Sequence, residues 1–337
     1  MLSKIKLQDI GGGFNFIDIG CSGNLDSWWT PINHMINLYG FDPNKEECER
    51  LSGISHGFNS ATYLPYAIAD TDGERQLYKT KSISCYSLLE PNKNWLKRFS
   101  FDHLFEVEGS EKVPTRKLTS IPELDNLDVD IIKVDSQGLD LAILSNAAHL
   151  LDRTIYIEAE PGFTENYVEE NTYAQIDSFL RANGFLLFDF KLNRIPRKNL
   201  IGASGKAKGQ LLWCESMWLK DYIHLDGKKE LKSLTRAKAL KSLILCGMVG
   251  CYDFGYELAE FYYSKGLVNP DELTMLKNVD NWVITKKEEE TIPPFFYELV
   301  ELTVRLLPWR YRKAIAMSAD KATNRPNLLR SLWGLFK

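Results

Sequence analysis

The chain has 337 residues, 44% apolar and 26% charged, which is the mix of a soluble globular protein long enough for one large domain or two ordinary ones. A net charge of −4 excludes a whole-molecule field that would draw it to nucleic acid. Six cysteines without a CxxC pair, in a chain too large to need disulfides, read as reduced and buried thiols.

In chain order, "FNFIDIG", "NLYGFD", "TYLPYAI", "VDIIKVD", "TIYIEAE", "GFLLFDF" and "QLLWCESMWL" are the strand candidates. "TDGERQLYKT" reads as an inserted hairpin. Helical patterns lie between several of them. "DLAILSNAAHLL" has helical spacing, and "TYAQIDSFLRANG" opens with Thr172 as N-cap and closes with Gly184 in the C′ place. Strands alternating with helices predict an α/β fold with a parallel sheet covered on both faces. After about Lys220 the pattern turns helical. "KSLTRAKALKSLILCGMVGCYDFGYELAEFYYSKG" predicts two close-packed helices, "NPDELTMLKNV" a third with Asn269 as cap and Pro270 at N1, and "PPFFYELVELTVRLL" a fourth. The expected domains are therefore 1–220, an α/β domain, and 221–337, a helical region. No apolar run is long enough for a signal peptide or a membrane span, so a cytoplasmic location is expected.

The first strand runs directly into "DIGCSGN". In an open parallel sheet, ligands bind at the carboxyl ends of the strands, where a glycine-rich turn admits a ligand to the backbone. This turn lacks the third glycine of the dinucleotide fingerprint and the GK[ST] of a P-loop. The second strand ends in Asp42, where a carboxylate can accept both hydroxyls of a ribose. NAD and S-adenosylmethionine (SAM) proteins share that feature, and the alternative is an ordinary strand-end acid capping the helix at "PNKEECERL". None of the fifteen tyrosines has a lysine four residues on, so the Tyr-x-x-x-Lys pair of short-chain dehydrogenases is absent. An NAD-dependent sugar-modifying enzyme is weakened accordingly.

"SISCYSLLEPN", "VPTRKLTSI" and "DIIKVDSQGLDLAIL" follow "FIDIGCSGN" and "YGFDPNKEECERL" in that order. Over about residues 10–220 this string resembles the FkbM-type methyltransferases, SAM-dependent enzymes of the class I Rossmann-like fold, which implies a mostly parallel sheet with an antiparallel last strand. Such enzymes typically O-methylate hydroxyls of sugars, polyketides or glycolipids. The resemblance implies that Asp18, Gly20, Cys21, Ser22 and Gly23 cradle the methionine part of SAM. It implies that Asp42 meets the ribose and Asp70 the adenine, and that Asp135 and Gln137 face the transferred methyl group. Cys21-Ser22 stands where the family often shows Ala-Asn, and Asp140 where Glu is usual.

Methyl transfer to a hydroxyl needs alignment and a base. Asp135 is the first candidate base, with Glu158, Glu160 and His103 after it; Asp135 can instead bind the SAM amino group or cap the next helix. Asp135, Glu158 and Glu160 are also the only obvious cluster for Mg²⁺. Zinc is disfavoured by five scattered histidines.

"RIPRKNLIGASGKAKG" carries five cations and no acid. Arg197, Lys206 and Lys208 would grip an anionic acceptor such as a nucleotide sugar or a lipid-linked glycan, unless the segment is only a solvated hairpin. Residues 301–337 hold eight Lys and Arg against two acids, so this tail carries +6 and the remainder −10. Its interleaved aromatics suit either a helix on the inner face of an anionic membrane or one docked on its own domain or a second subunit in a homo-oligomer. A third class of function also stands: a non-catalytic SAM-fold protein whose helical region binds a partner.

Overall fold

The computed structural model describes residues 5–23, 25–54, 57–199, 207–227, 231 and 233–282. Lys206, the helix expected at "PPFFYELVELTVRLL" and the basic tail lie outside the described residues.

Seven strands make the main sheet: β1 (Phe14–Ile19), β2 (Ile36–Phe41), β3 (Ser60–Leu64), β7 (Ile131–Val134), β8 (Tyr156–Ala159), β9 (Phe185–Ile195) and β10 (Gln210–Lys220). Their spatial order is β3-β2-β1-β7-β8-β10-β9. Strands β3 to β8 pair in parallel, and β10 runs antiparallel to both β8 and β9. The sheet is mostly parallel with an antiparallel last strand, as the resemblance implies.

Two local expectations change. "TYLPYAI" is not one strand. Pro65 has no amide to donate to a ladder, and the chain leaves the main sheet there to form β4 (Ala67–Ile68) in a second sheet. "TDGERQLYKT" is not a self-contained hairpin either. It is β5 (Gly73–Thr80), and its antiparallel partner is the distant β6 (Val107–Arg116).

Strand alternation splits the core into two layers. Ile17, Ile19, Ile132, Val134, Ile157 and Ala159 face one side, against α3 (Asp140–Asn146) and α5 (Tyr173–Ala182). Helix α5 opens with the expected Thr172 box, closed by Gln175, and Gly184 follows in the left-handed region at φ 83°. Phe14, Phe16, Ile131 and Tyr156 face the other side, against α7 (Arg236–Val249) and α8 (Tyr252–Ser264). Ten of the fourteen residues of α7 are buried, so it is a core helix rather than a one-sided surface helix. Helix α9 (Pro270–Leu276) has the predicted Asn269 cap and Pro270 at its first turn. Short helices α1 (Lys45–Ser52), α2 (Lys93–Leu96), α4 (Ala148–Leu151) and α6 (Tyr222–Leu225) complete the described set. The six cysteines are free thiols, and five of them are buried. Among the described residues no helix is long and apolar enough to cross a membrane.

Helix α7 is pinned by charge as well as by apolar contact. Asp130, just before β7, is fully buried. It accepts from Lys238 at 2.5 Å, from Lys241 at 2.6 Å and from the Asn15 amide at 2.9 Å. Lys238 also donates to the Val129 carbonyl (2.9 Å) and pairs with Asp128 (3.1 Å). Removing the shared carboxylate leaves the buried Lys241 without its anion and Lys238 with only Asp128 and the Val129 carbonyl, which costs about 3–5 kcal/mol. Removing one lysine leaves one cation for one anion. We therefore expect Asp130→Ala to lose about 3–5 kcal/mol of stability and Lys241→Met to stay within about 1 kcal/mol of wild type. Urea unfolding measures both, and equal losses in the two variants would contradict this account.

Candidate active site

The strand order reverses between β1 and β7, so the crevice of this sheet opens at their carboxyl ends. Two short segments meet there. Gly20 to Gly23 follow β1, and Asp135 to Gly138 follow β7. The Asp135 amide donates to Ile19 (2.9 Å), and the amides of Gly20 and Cys21 both donate to Phe41 at the end of β2 (2.9 and 3.2 Å). Gly20 sits at φ 80°, and the Asp135 carbonyl oxygen fills the place that a β-carbon would take. Only glycine allows both the backbone angle and the approach.

The α1 side of the crevice holds the same turn. Asp42, 9% exposed, accepts the Asn44 amide at 2.8 Å and the Ser22 amide. Asn44 rather than Asp42 caps α1, through the Glu47 amide (3.2 Å). Glu47 reaches back to accept from Gly23 (2.9 Å) and is held to about 2 by Arg50 beside it. Cys21 is buried, and its thiol lies against Cys48. Asp18, Gly20, Cys21, Ser22, Gly23 and Asp42 are thus brought together.

Register sets a row of charges across the sheet. Asp18, Lys133 and Glu158 are direct neighbours on β1, β7 and β8, on one face. Lys133 pairs with Asp18 at 3.4 Å. That carboxylate, with Asp135 and Glu158 behind it, holds the ammonium well above the ordinary lysine range. Burial pushes Glu158 up to about 7, while Lys133 and the Tyr156 hydroxyl (3.1 Å) pull it back. One step further along, burial and the charges of Asp135 and Glu215 push Glu160 up to about 8. Asp135 is raised by burial and pulled back by Lys133 and by Gln137, whose Nε2 donates to it at 2.6 Å. Asp140 caps this turn, accepting from the hydroxyl and amide of Ser136, and burial lifts it to about 7.

Lys133 and Glu215 were not among the expected site residues. A lone lysine inside the apolar run "IIKV" and a lone acid inside "QLLWCESMWL" were the signals for them. Asp70 lies just beyond β4 and pairs with Arg75 on β5 at 2.8 Å. His103 is exposed on the turn Asp102–Phe105, and no hydrogen bond among the described residues joins its side chain to Asp135. Arg197 does not reach into open space. Its guanidinium lies 4.2 Å from Phe99 and 5.4 Å from Trp95 and donates to Gln210. Lys208 is exposed. For the expected Mg²⁺ ligands Asp135, Glu158 and Glu160, no group of three or more His, Cys, Asp or Glu among the described residues could hold a metal ion. The cation beside them is Lys133.

The cradle fits a cofactor with a ribose and a charged amino-acid end. It has a glycine turn with no room for side chains at its base, a strand-end acid on α1's side and buried carboxylates next to it. Residues 23–187 match the methyltransferase FkbM domain. Magnesium protoporphyrin IX methyltransferase from Synechocystis PCC 6803, solved with bound SAM, is 11% identical over 62% of this chain and 71% of that one, with a TM-score of 0.31. A SAM-dependent methyltransferase from Methanosarcina mazei is 10% identical over 62% of this chain and 92% of that one, with a TM-score of 0.30. No curated protein matches the chain.

Gly20→Ala must break either the backbone angle or the contact with Asp135, a strain of about 1–3 kcal/mol. We expect it to fold and to bind SAM about tenfold more weakly or worse, measured by calorimetry with circular dichroism as the folding check. Unchanged affinity in the folded variant would remove this turn from the cofactor site.

Proposed function

Taking as given that this chain is an FkbM-type, SAM-dependent methyltransferase, we propose that it transfers the methyl group to a hydroxyl of a carbohydrate-type acceptor. The observation that carries this reading is the place of Asp135. Its backbone lies against Gly20 at the switch point, and its side chain is held by Gln137 within the field of Lys133. When bound, SAM supplies a methyl carbon made electrophilic by the sulfonium.

The chain's own residues do the rest. Gly20, Ser22, Gly23, Asp18 and Asp42 hold the cofactor. A hydroxyl loses its proton as its oxygen takes the methyl group, so a base must lie within hydrogen-bond reach of it. Asp135 takes that proton, and Glu160 and Glu158 stand next in order. Burial, which raises all three, makes each a better proton acceptor near neutral pH than an ordinary carboxylate. The Lys133 charge pulls all three back against that rise.

The walls support a sugar-like acceptor. Strand β10 continues past the end of β8, where Trp213 bridges Gly162. Trp213 and Phe101 are stacked, 5.9 Å between centroids and 12° between planes, and both are partly exposed. Trp213 shares a face of β10 with Glu215, whose charge reaches Asp135 and Glu160. Flat aromatic faces pack on the C–H faces of sugar rings, and a few carboxylates accept ring hydroxyls. An anionic part of the acceptor would meet Lys208 on the β9–β10 connection.

The test is Asp135→Asn. It should fold and keep its SAM affinity, while kcat falls about 10²- to 10⁴-fold. The active form carries the ionised carboxylate, so wild-type rates should rise with pH, with the acid limb shifted up from the ordinary carboxylate range. S-adenosylhomocysteine release against a panel of neutral and phosphorylated sugars reads both. A kcat equal to wild type in the folded variant would remove Asp135 as the base.

A further inference from the structure

The loop from Pro161 to Asn171, between β8 and α5, enters the reading above only at Gly162. It holds two other segments. The Val168 amide donates to Glu90 (2.8 Å), the Asn92 amide to Asn166 (2.8 Å) and the Asn171 amide to Gly138 (3.1 Å). Its own shape is set by Glu170, a buried carboxylate accepting from the amides of Asn166 and of Tyr167, the latter at 3.0 Å. This fixes Tyr167, which is 3% exposed, under the turn that carries the candidate base.

The Tyr167 hydroxyl stands between two acceptors. Gln137 Oε1 is 2.9 Å away and the Cys85 carbonyl oxygen 3.1 Å. Gln137 in turn donates from Nε2 to Asp135. Its backbone is held in the left-handed region, φ 53°, where the Ser87 hydroxyl donates to its carbonyl at 2.7 Å. The Gln137 side chain is therefore aimed by a strained backbone, and both ends of its amide are engaged.

We propose that Tyr167 is a positioning residue for the base, acting through Gln137 by deciding which end of its amide faces Asp135. The inference rests on Asp135 being the base. A tyrosine hydroxyl has one proton and can also accept. While Asp135 is ionised, Tyr167 donates to Gln137 Oε1, and the amide turns its N–H to the carboxylate. Once Asp135 has taken a proton, the amide reverses. Gln137 Oε1 accepts from the carboxyl, Nε2 donates to Tyr167, and Tyr167 donates to Cys85. In each state the hydroxyl protons and one Nε2 hydrogen have an acceptor, and no covalent bond is made or broken besides the O–H gained by Asp135. The second acceptor, the Cys85 carbonyl, gives the Tyr167 proton a partner after the reversal.

Other charges also face Asp135: Lys133 on its own strand, Asp18 on β1, Glu160 after β8, Glu215 on β10, Asp140 on α3 and the Cys85 thiol. All remain in a Tyr167→Phe variant, so a change in its pH profile belongs to the hydrogen-bond chain.

The experiment is kcat against pH at saturating SAM and acceptor for wild type, Tyr167→Phe, Gln137→Met and the double variant. We expect Tyr167→Phe to keep KM within about twofold and to move the acid limb up by about one pH unit, so that kcat at a fixed pH on that limb falls about tenfold. Gln137→Met should move the limb at least as far, and adding Tyr167→Phe to it should change nothing more. An unmoved limb in Tyr167→Phe, or additive effects in the double variant, would overturn the proposal. If Tyr167→Phe fails to fold, an unmoved limb in Gln137→Met overturns it alone. A folded Asp135→Asn that keeps full activity would instead defeat the assignment of the base, which these variants do not decide.

Discussion

Where the strand order reverses, the carbonyl oxygen of Asp135 occupies the volume that a Gly20 side chain would need, and the Asp135 amide donates to Ile19 at 2.9 Å. This close approach of two parallel strands brings the glycine turn and the candidate base to one spot. The first is needed because a cofactor must reach backbone amides. The second is needed because a hydroxyl must lose a proton beside the methyl carbon. Asp42, Glu47 and the Phe41 carbonyl secure the turn from one side. Gln137 and the loop at Tyr167 secure the base from the other.

The two ends of the sheet treat buried charge in opposite ways. At the amino end of β7, one carboxylate, Asp130, meets two lysines, and every group is paired. At the carboxyl end, one lysine, Lys133, lies in the field of Asp18, Asp135, Glu158 and Glu160. The first arrangement fixes helix α7 to the sheet. The second leaves carboxyl groups raised toward neutral pH, which weakens the fold but suits proton transfer. The imbalance falls where the topology opens a crevice, so the fold carries an electrostatic cost at the site and its compensation elsewhere.

Most of the sheet was legible because its strands are apolar runs bounded by turn residues, and the caps at Thr172 and Asn269 follow local chemistry. The second sheet was not, because β5 finds its partner in β6 across an intervening segment, and no local pattern encodes a pairing at that distance. Motif matching placed Asp18, the glycine turn, Asp42, Asp135 and Gln137 together. It could not show that Asp70 is taken by Arg75, or that Arg197 lies on Trp95 and Phe99, since both depend on which segments the fold brings near. Lys133 was legible in principle. A lysine inside a buried parallel strand needs a partner, and strand register supplies Asp18 and Glu158.

The central claim is that the turn after β1 holds SAM with Asp42 on its ribose. Calorimetric titration of the protein and of Asp42→Ala with SAM, and separately with NAD, tests it most directly. The account predicts micromolar SAM binding that Asp42→Ala loses, and no binding of NAD. Binding of NAD in place of SAM, or SAM binding that survives Asp42→Ala unchanged, would contradict it.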